Sequence, residues 1–309
     1  MPVTLRANCI GSLAARELAS DDSRIAGQVV NTFANSFYLK TVSSELVFVT
    51  NRPLQSPISI NLDSTSNWDQ LVKTMDTVQA RPNEILVGSE VRIDLSATTY
   101  YEDESILSKG LSPRFSEIED AIRVVVFILR IIDTSQSVLD EHGLTHKGVV
   151  RFLCDGVLPL LRSHAEERFR EAAFDIIGLG SGFTPSGDDA LGGFLATYNS
   201  LAHTVRFPPI LLDFASLQQK TSWISAKLLD YMQRQILDNQ MRHVIDSAAT
   251  GNGDSVVLAF EAILPRGHAS GIDISVGTLL ALSLIRDIAL EKEETRTTIG
   301  SLGLSFEVA

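Results

Sequence analysis

The chain has 309 residues, 44% of them hydrophobic and 21% charged, which excludes wholesale disorder and supplies a core for one large domain or two ordinary ones. Its formal charge of -12 argues against a nucleic acid or an anionic membrane as partner, because neutralising phosphates takes clustered Lys and Arg. A small anionic substrate needs only one local patch and stays open.

From the N-terminus, "MPVTLRANCIGSLAAREL" lacks an apolar run of signal-peptide length. "ELVFVT" (45–50), "PISINL" (57–62) and "EILVGSEVRIDLS" (84–96) are β-branched, partly alternating and bounded by Asn-Arg-Pro and Arg-Pro-Asn turns, so they predict strands. Between them, "STSNWDQLVKTMDTVQ" (64–79) predicts a short helix opened by a Ser or Asn cap. The polar stretch 98–113 is the expected linker. Beyond it the period becomes helical: "FSEIEDAIRVVVFILRIIDTS" opens with a Ser116-x-x-Glu119 cap. Its apolar part, 124–132, is broken by Arg130 and too short to span a bilayer. Further helices are predicted at 146–164, 165–176, 187–203, 209–240, 254–264 and 272–291, with 297–309 as a returning strand. The expected fold class is α+β: a β-rich N-terminal domain (1–110), then a larger, mainly helical domain (111–309). Two distant thiols, Cys9 and Cys154, form neither a disulfide framework nor a zinc site, and a cytoplasmic protein is expected.

Residues 178–193, "GLGSGFTPSGDDALGG", concentrate glycine and negative charge just before an apolar helical run. Part of this stretch is echoed 84 residues later: Ser186-Gly187-x-Asp189-x-x-x-Gly193 matches Ser270-Gly271-x-Asp273-x-x-x-Gly277. Each copy has the Ser-x-x-Asp spacing of a capping box, which makes Asp189 and Asp273 either caps or ligands. Capping does not account for Gly178, Gly180, Gly182 and Gly187, nor for a second carboxylate at Asp188. Glycines bring backbone N–H groups close to a ligand, and a helix N-terminus favours an anion. Asp188 then needs a counterpart: a substrate N–H, a cation side chain or a divalent ion; no metal or other cofactor is predicted. The P-loop pattern is absent, since no Lys follows the glycines. The dinucleotide fingerprint fails too, lacking its third glycine and a preceding strand.

The second loop, "LPRGHASGIDISVG" (264–277), adds Arg266 for carboxylate or phosphate, and His268 as a general acid–base or oxyanion donor. His142 and His146, four apart but separated by Gly143, are expected to be structural. In "TSWISAKLLDYM" (221–232), Thr221, Ser225 and Leu228 share one helical face, with Trp223 and Lys227 turned elsewhere; the hydroxyls either bond back to the helix or line a cleft.

"GLGSGFTPSGDD" resembles the G-L-G-x-G-x-T-P-S-G-D-D signature of the AllH-like proteins, a family that includes a subunit of the bacterial oxamate carbamoyltransferase of anaerobic allantoin breakdown. "TSWISAKLL" and "GHASGIDISVG" are similar to two further family segments, and the similarity spans roughly 30–290. Ser181 and Phe183 depart from the family, standing where Pro and Leu are expected. The resemblance implies carbamoyl transfer between carbamoyl phosphate and a small amide or amine such as oxamate. It assigns the phosphate to Gly180, Ser181, Gly182, Thr184 and Arg266, the oxyanion to His268 or Ser270, and the substrate NH₂ to Asp188. Ser186, Gly187, Asp189, Gly271, Asp273, Thr221 and Ser225 complete the expected binding site. It also implies partner subunits, a homo-oligomer being the alternative. The rival readings are a relative recruited to another acyl or amide reaction on a small carboxylate, and a ligand-binding subunit without chemistry.

Overall fold

The computed structural model describes residues 2–18, 23–63, 67–101, 113–135, 137–139, 147–163, 166–292 and 294–301. The chain divides into two compact units, 1–104 with 236–239, and 105–235 with 240–309.

The first unit is a β-barrel. Its strands are β1 (Val3–Gly11), β2 (Arg24–Phe33), β3 (Ser36–Thr41), β4 (Leu46–Thr50), β5 (Ser59–Leu62), β6 (Thr77–Arg81), β7 (Glu84–Val87), β8 (Val91–Asp94) and β9 (Thr99–Tyr101). They follow the order β5-β4-β3-β2-β6-β7-β8-β1, and β5 pairs back onto β1 to close the ring; β9 adds to β1 beyond β8. Closure leaves no long unpaired edge. The side chains alternate as a barrel wall requires: Phe37 and Leu39 of β3, Ile85 and Val87 of β7, and Val91 and Ile93 of β8 are buried in one core with Trp68. Helix α1 (Ser12–Leu18) follows β1, and α2 (Trp68–Leu71) is one turn.

Two expectations in this unit are corrected. The helix expected over 64–79 shrinks, within the described residues, to Trp68–Leu71, because Thr77–Arg81 alternates with Val78 and Ala80 inward and pairs with both β2 and β7. The single run 84–96 is a hairpin, β7 and β8, turning at Gly88, whose φ is +56°.

The second unit is helical: α3 (Phe115–Ile131), α4 (Lys147–Arg151), a π-helical stretch (Phe152–Val157), α5 (Leu158–Ser163), α6 (Glu166–Ala173), α7 (Ser186–Leu201), α8 (Phe214–Gln218), α9 (Trp223–Gln233), α10 (Asn239–Thr250), α11 (Gly253–Ile263), α12 (Ser270–Leu290) and α13 (Thr295–Ser301). Every residue from Gly271 to Asp287 is buried, so α12 is the central helix, mostly apolar all round, with Asp273, Arg286 and Asp287 among its buried residues. Phe194 of α7 stacks on Phe169 and Tyr198, with centroids 5.0 and 5.8 Å away.

Three helical expectations change. Residues 209–240 are not one helix: Asp213 and Ser222 each cap a new one, accepting from the N–H of Ser216 and Ser225, and Gln235 adopts a left-handed φ of 65°. Ser116 does not cap α3, which begins at Phe115 without a side-chain cap; Glu119 instead pairs with Arg123. The expected strand at 297–309 is helical up to Ser301, and 302–309 lie outside the described residues. His142, His146 and most of the expected linker lie outside them as well.

Candidate functional site

The sequence echo becomes a pair of helices. Helices α7 and α12 run side by side in the same direction: Gly193 faces Ile274, Gly277 faces Ala190 and Phe194, and Thr197 Oγ1 donates to Thr278 Oγ1 at 3.2 Å. A Cβ on Gly277 would overlap the Ala190 carbonyl, and one on Gly193 the Ile274 carbonyl. The earlier glycines play matched parts too, Gly187 packing on the Ile176 carbonyl and Gly271 on that of Ile263. Each of the two matched glycine positions therefore has one mechanical role, performed twice.

Parallel packing places the two N-termini together, where their dipoles add, while the Gly187 and Gly271 N–H groups already donate to the Leu179 and Arg266 carbonyls. There the Ser and Asp positions cross over. Ser270 hydrogen-bonds the Asp189 carboxyl group, and Ser186 that of Asp273. Neither serine caps its own helix; Pro185 and Ala269 hold the cap positions without side-chain bonds. The capping-box expectation is thus corrected: the i, i+3 spacing serves an interhelical exchange. Thr184 Oγ1 donates to Asp189 Oδ2 at 2.8 Å and lies 3.3 Å from Ser270 Oγ, tying both loops to one point.

The three carboxyl groups differ in their surroundings. Asp188 is 2% exposed, and its oxygens accept from Gly178 N–H (2.7 Å), Thr221 Oγ1 (2.5 Å) and Ser225 Oγ (2.6 Å). Burial pushes its carboxyl up from the usual range, and these three donors pull against that. Asp273 is fully buried; Oδ1 accepts from Ser137 Oγ (2.6 Å) and the Val138 N–H (2.7 Å), and burial again pushes the carboxyl up. Asp189 is only half-buried. Burial pushes its carboxyl to about 7, against the bonds from Ser270 and Thr184, with Asp273 and Asp188 adding like-charge repulsion.

The first glycine loop stands open beside this cluster. Gly178, Gly180 and Gly182 have φ of 80°, 97° and 120°, which a β-carbon would strain. The residues from Gly180 to Gly182 are exposed, and their amides have no protein acceptor among the described residues. Gly180 lies against Ser186, a Cβ there falling 3.0 Å from the Ser186 Cβ. In the second loop Gly267 (φ 60°) abuts Ser270, Arg266 is half-buried and His268 is exposed. Asp133, outside the end of α3, is held below the usual carboxylate range by the Ser135 N–H and hydroxyl, with a smaller contribution from His268.

The structure therefore brings together Thr184, Ser186, Asp189, Ser270 and Asp273. Thr221 and Ser225 reach the cluster only through Asp188. Lys227, on the same helix, is buried over the rings of Phe214 and Tyr231, at 4.9 and 5.6 Å. Sequence reasoning missed Ser137, Val138 and Asp133. Their segment, "IIDTSQSVL", shows only turn chemistry, and no spacing links it to either motif. Among the described residues, no three His, Cys, Asp or Glu side chains are grouped to hold a metal ion, and no helix is long and apolar enough to cross a membrane.

Comparison with known proteins agrees with this division of the chain. Residues 3–100 match the family described as AllH family N-terminal domain, and residues 176–282 match the one described as oxamate carbamoyltransferase subunit AllH. No curated protein and no solved structure matches. The second match contains the first glycine loop, α7, α9, the second loop and the N-terminal half of α12. On these two matches, the chain belongs to the AllH family.

Proposed function

We propose that this chain is the subunit of a carbamoyltransferase that binds the reacting groups, moving the carbamoyl group between carbamoyl phosphate and a small amide or amine such as oxamate. One observation carries the reading: two glycine loops meet at the N-termini of parallel helices, next to three exposed amides with no protein acceptor among the described residues. Such a place suits a phosphate or carboxylate, which takes its hydrogen bonds from backbone N–H groups and its charge stabilisation from two helix dipoles. The amides of Gly180, Ser181 and Gly182 hold the anion in this reading, with Arg266 from the second loop. Ser270 or His268 donates to the oxygen that becomes negative as the acceptor nitrogen adds to the carbamoyl carbon. Asp188, spent on Gly178, Thr221 and Ser225, keeps the first loop in shape and leaves the substrate NH₂ to another acceptor.

The family description names a subunit, which supports partner chains in the active assembly. The test is direct. The chain, alone and mixed with its co-subunits, is supplied with carbamoyl phosphate and oxamate, and phosphate release is followed against controls lacking either substrate. Acceptor-dependent release supports the reading. Binding of carbamoyl phosphate without release in any mixture favours a ligand-binding subunit, and no binding at all removes the reading.

A further inference from the structure

Carbamoyl transfer to nitrogen cannot finish without a proton acceptor, because the attacking NH₂ must lose one hydrogen as it bonds to carbon. Resting on the carbamoyl-transfer reading, we propose that Asp189 is the catalytic base: its carboxylate takes the proton from the acceptor nitrogen as the nitrogen–carbon bond forms, while the bond from carbon to the phosphate oxygen breaks and its electron pair leaves with phosphate. The proton then passes from Asp189 to phosphate or to solvent, returning the carboxylate.

The geometry selects Asp189 by comparison with its neighbours. Asp188 lies one residue away but is almost fully buried and committed to three protein donors. Asp273 is fully buried and anchored by Ser137 and Val138. Asp189 is the most exposed of the three, though half-buried, and its two hydroxyl partners, Thr184 and Ser270, come one from each loop. A substrate whose anion rests on the Gly180–Gly182 amides would therefore meet this carboxyl group at the junction of the loops.

Its titration range suits the task, since a base works best when its pKa is near the working pH. The carboxyl is pushed to about 7, chiefly by burial. The charged groups acting on it are Asp273 on α12 and Asp188 on its own helix; Arg266 and His268 belong to the second loop, and Lys227 of α9 is turned to its two rings. The two aspartates oppose ionisation of Asp189.

The stability sign separates catalysis from capping. A carboxyl whose folded pKa is raised makes the fold less stable as pH rises from the unfolded value, near 3.8, through about 7. Asp189→Asn removes that charge while keeping an acceptor for Thr184, so the variant should melt higher than wild type at pH 8, by less at pH 5, and close to it only below about pH 4. Its acceptor-dependent phosphate release, assayed with co-subunits, should fall by about 100-fold or more. Carbamoyl phosphate binding, followed by calorimetry, should persist. Wild-type turnover should rise with pH to a plateau with a midpoint near 7, and this limb should vanish in Asp189→Asn. Asp189→Glu, which keeps a carboxyl group, should recover at least tenfold over the Asn variant and serves if that variant fails to fold. An Asn variant within threefold of wild type and with the same acidic limb overturns the assignment while leaving carbamoyl transfer intact. An Asn variant that melts lower than wild type at pH 8 makes Asp189 a structural cap and overturns it too. Wild-type protein that releases no phosphate with its co-subunits removes both readings together.

Discussion

At the start of α7, Asp189 is half-buried and held by the hydroxyls of Thr184 and Ser270; at the matching position of α12, Asp273 is fully buried and held by Ser137 Oγ and the Val138 N–H. Both helices use Ser-Gly-x-Asp-x-x-x-Gly, and in both the serine serves the other helix's aspartate. The mechanical design is therefore duplicated, and the difference lies in what surrounds each carboxyl group. The loop after α3 seals Asp273 into the protein. The glycine loop before α7 leaves Asp189 in reach of a ligand. A symmetric frame with unequal lids gives one half an anchor and the other a reactive group.

The comparison breaks most completely at the frame. Gly277→Ala and Gly193→Ala each drive a methyl into a backbone carbonyl of the opposite helix, and backbone cannot move aside as a side chain can. We expect each to cost more than about 3 kcal/mol, seen in urea unfolding or as loss of soluble protein. Either substitution tolerated within about 0.5 kcal/mol would mean that the helices are not packed as closely as this register requires.

Next come the two buried carboxyl groups, which should fail differently. Asp273→Ala leaves the buried Val138 N–H without its acceptor, a loss of about 1–3 kcal/mol, and should loosen the segment after α3. Asp188→Ala orphans Gly178 N–H, Thr221 and Ser225 at a similar cost in stability. Its sharper effect should be on the first glycine loop, so carbamoyl phosphate affinity should fall by about tenfold in calorimetry, equivalent to about 1.4 kcal/mol. Unchanged affinity in Asp188→Ala would detach that loop from the binding site.

Much of this arrangement was legible in the sequence, for identifiable reasons. The strands at 45–50 and 57–62 carry β-branched residues between turn signals, and α12 is a long run of small and apolar residues after Ser270-Gly271. Thr77–Arg81 was not legible, because its alternation is only five residues long and hides behind the cap-like start at 64–67. The echo itself was visible. The crossing of its serines was not, since Ser-x-x-Asp fits a local cap as well as a bond across to a parallel helix. Asp188 drew attention as a bare charge next to glycines, and only the fold supplies its three donors from distant positions. Ser137 lies 136 residues from Asp273, and nothing in one sequence reveals such a pairing.

The smallest effects are the most discriminating, because they compare equivalent hydroxyls in the two halves. Ser137→Ala removes one donor from Asp273, and Thr184→Val one donor from Asp189. If Asp273 is an anchor, Ser137→Ala should lower stability by about 1 kcal/mol and leave the pH dependence of turnover where it was. Thr184→Val should barely change stability but should move the acidic limb of turnover to higher pH. The sign follows from the bond: a hydroxyl donating to a carboxylate favours its charged form, so losing it raises the pKa of Asp189 above its value of about 7. A limb that moves with Ser137→Ala and not with Thr184→Val would exchange the two roles, making the buried aspartate the reactive one and the half-exposed one the anchor.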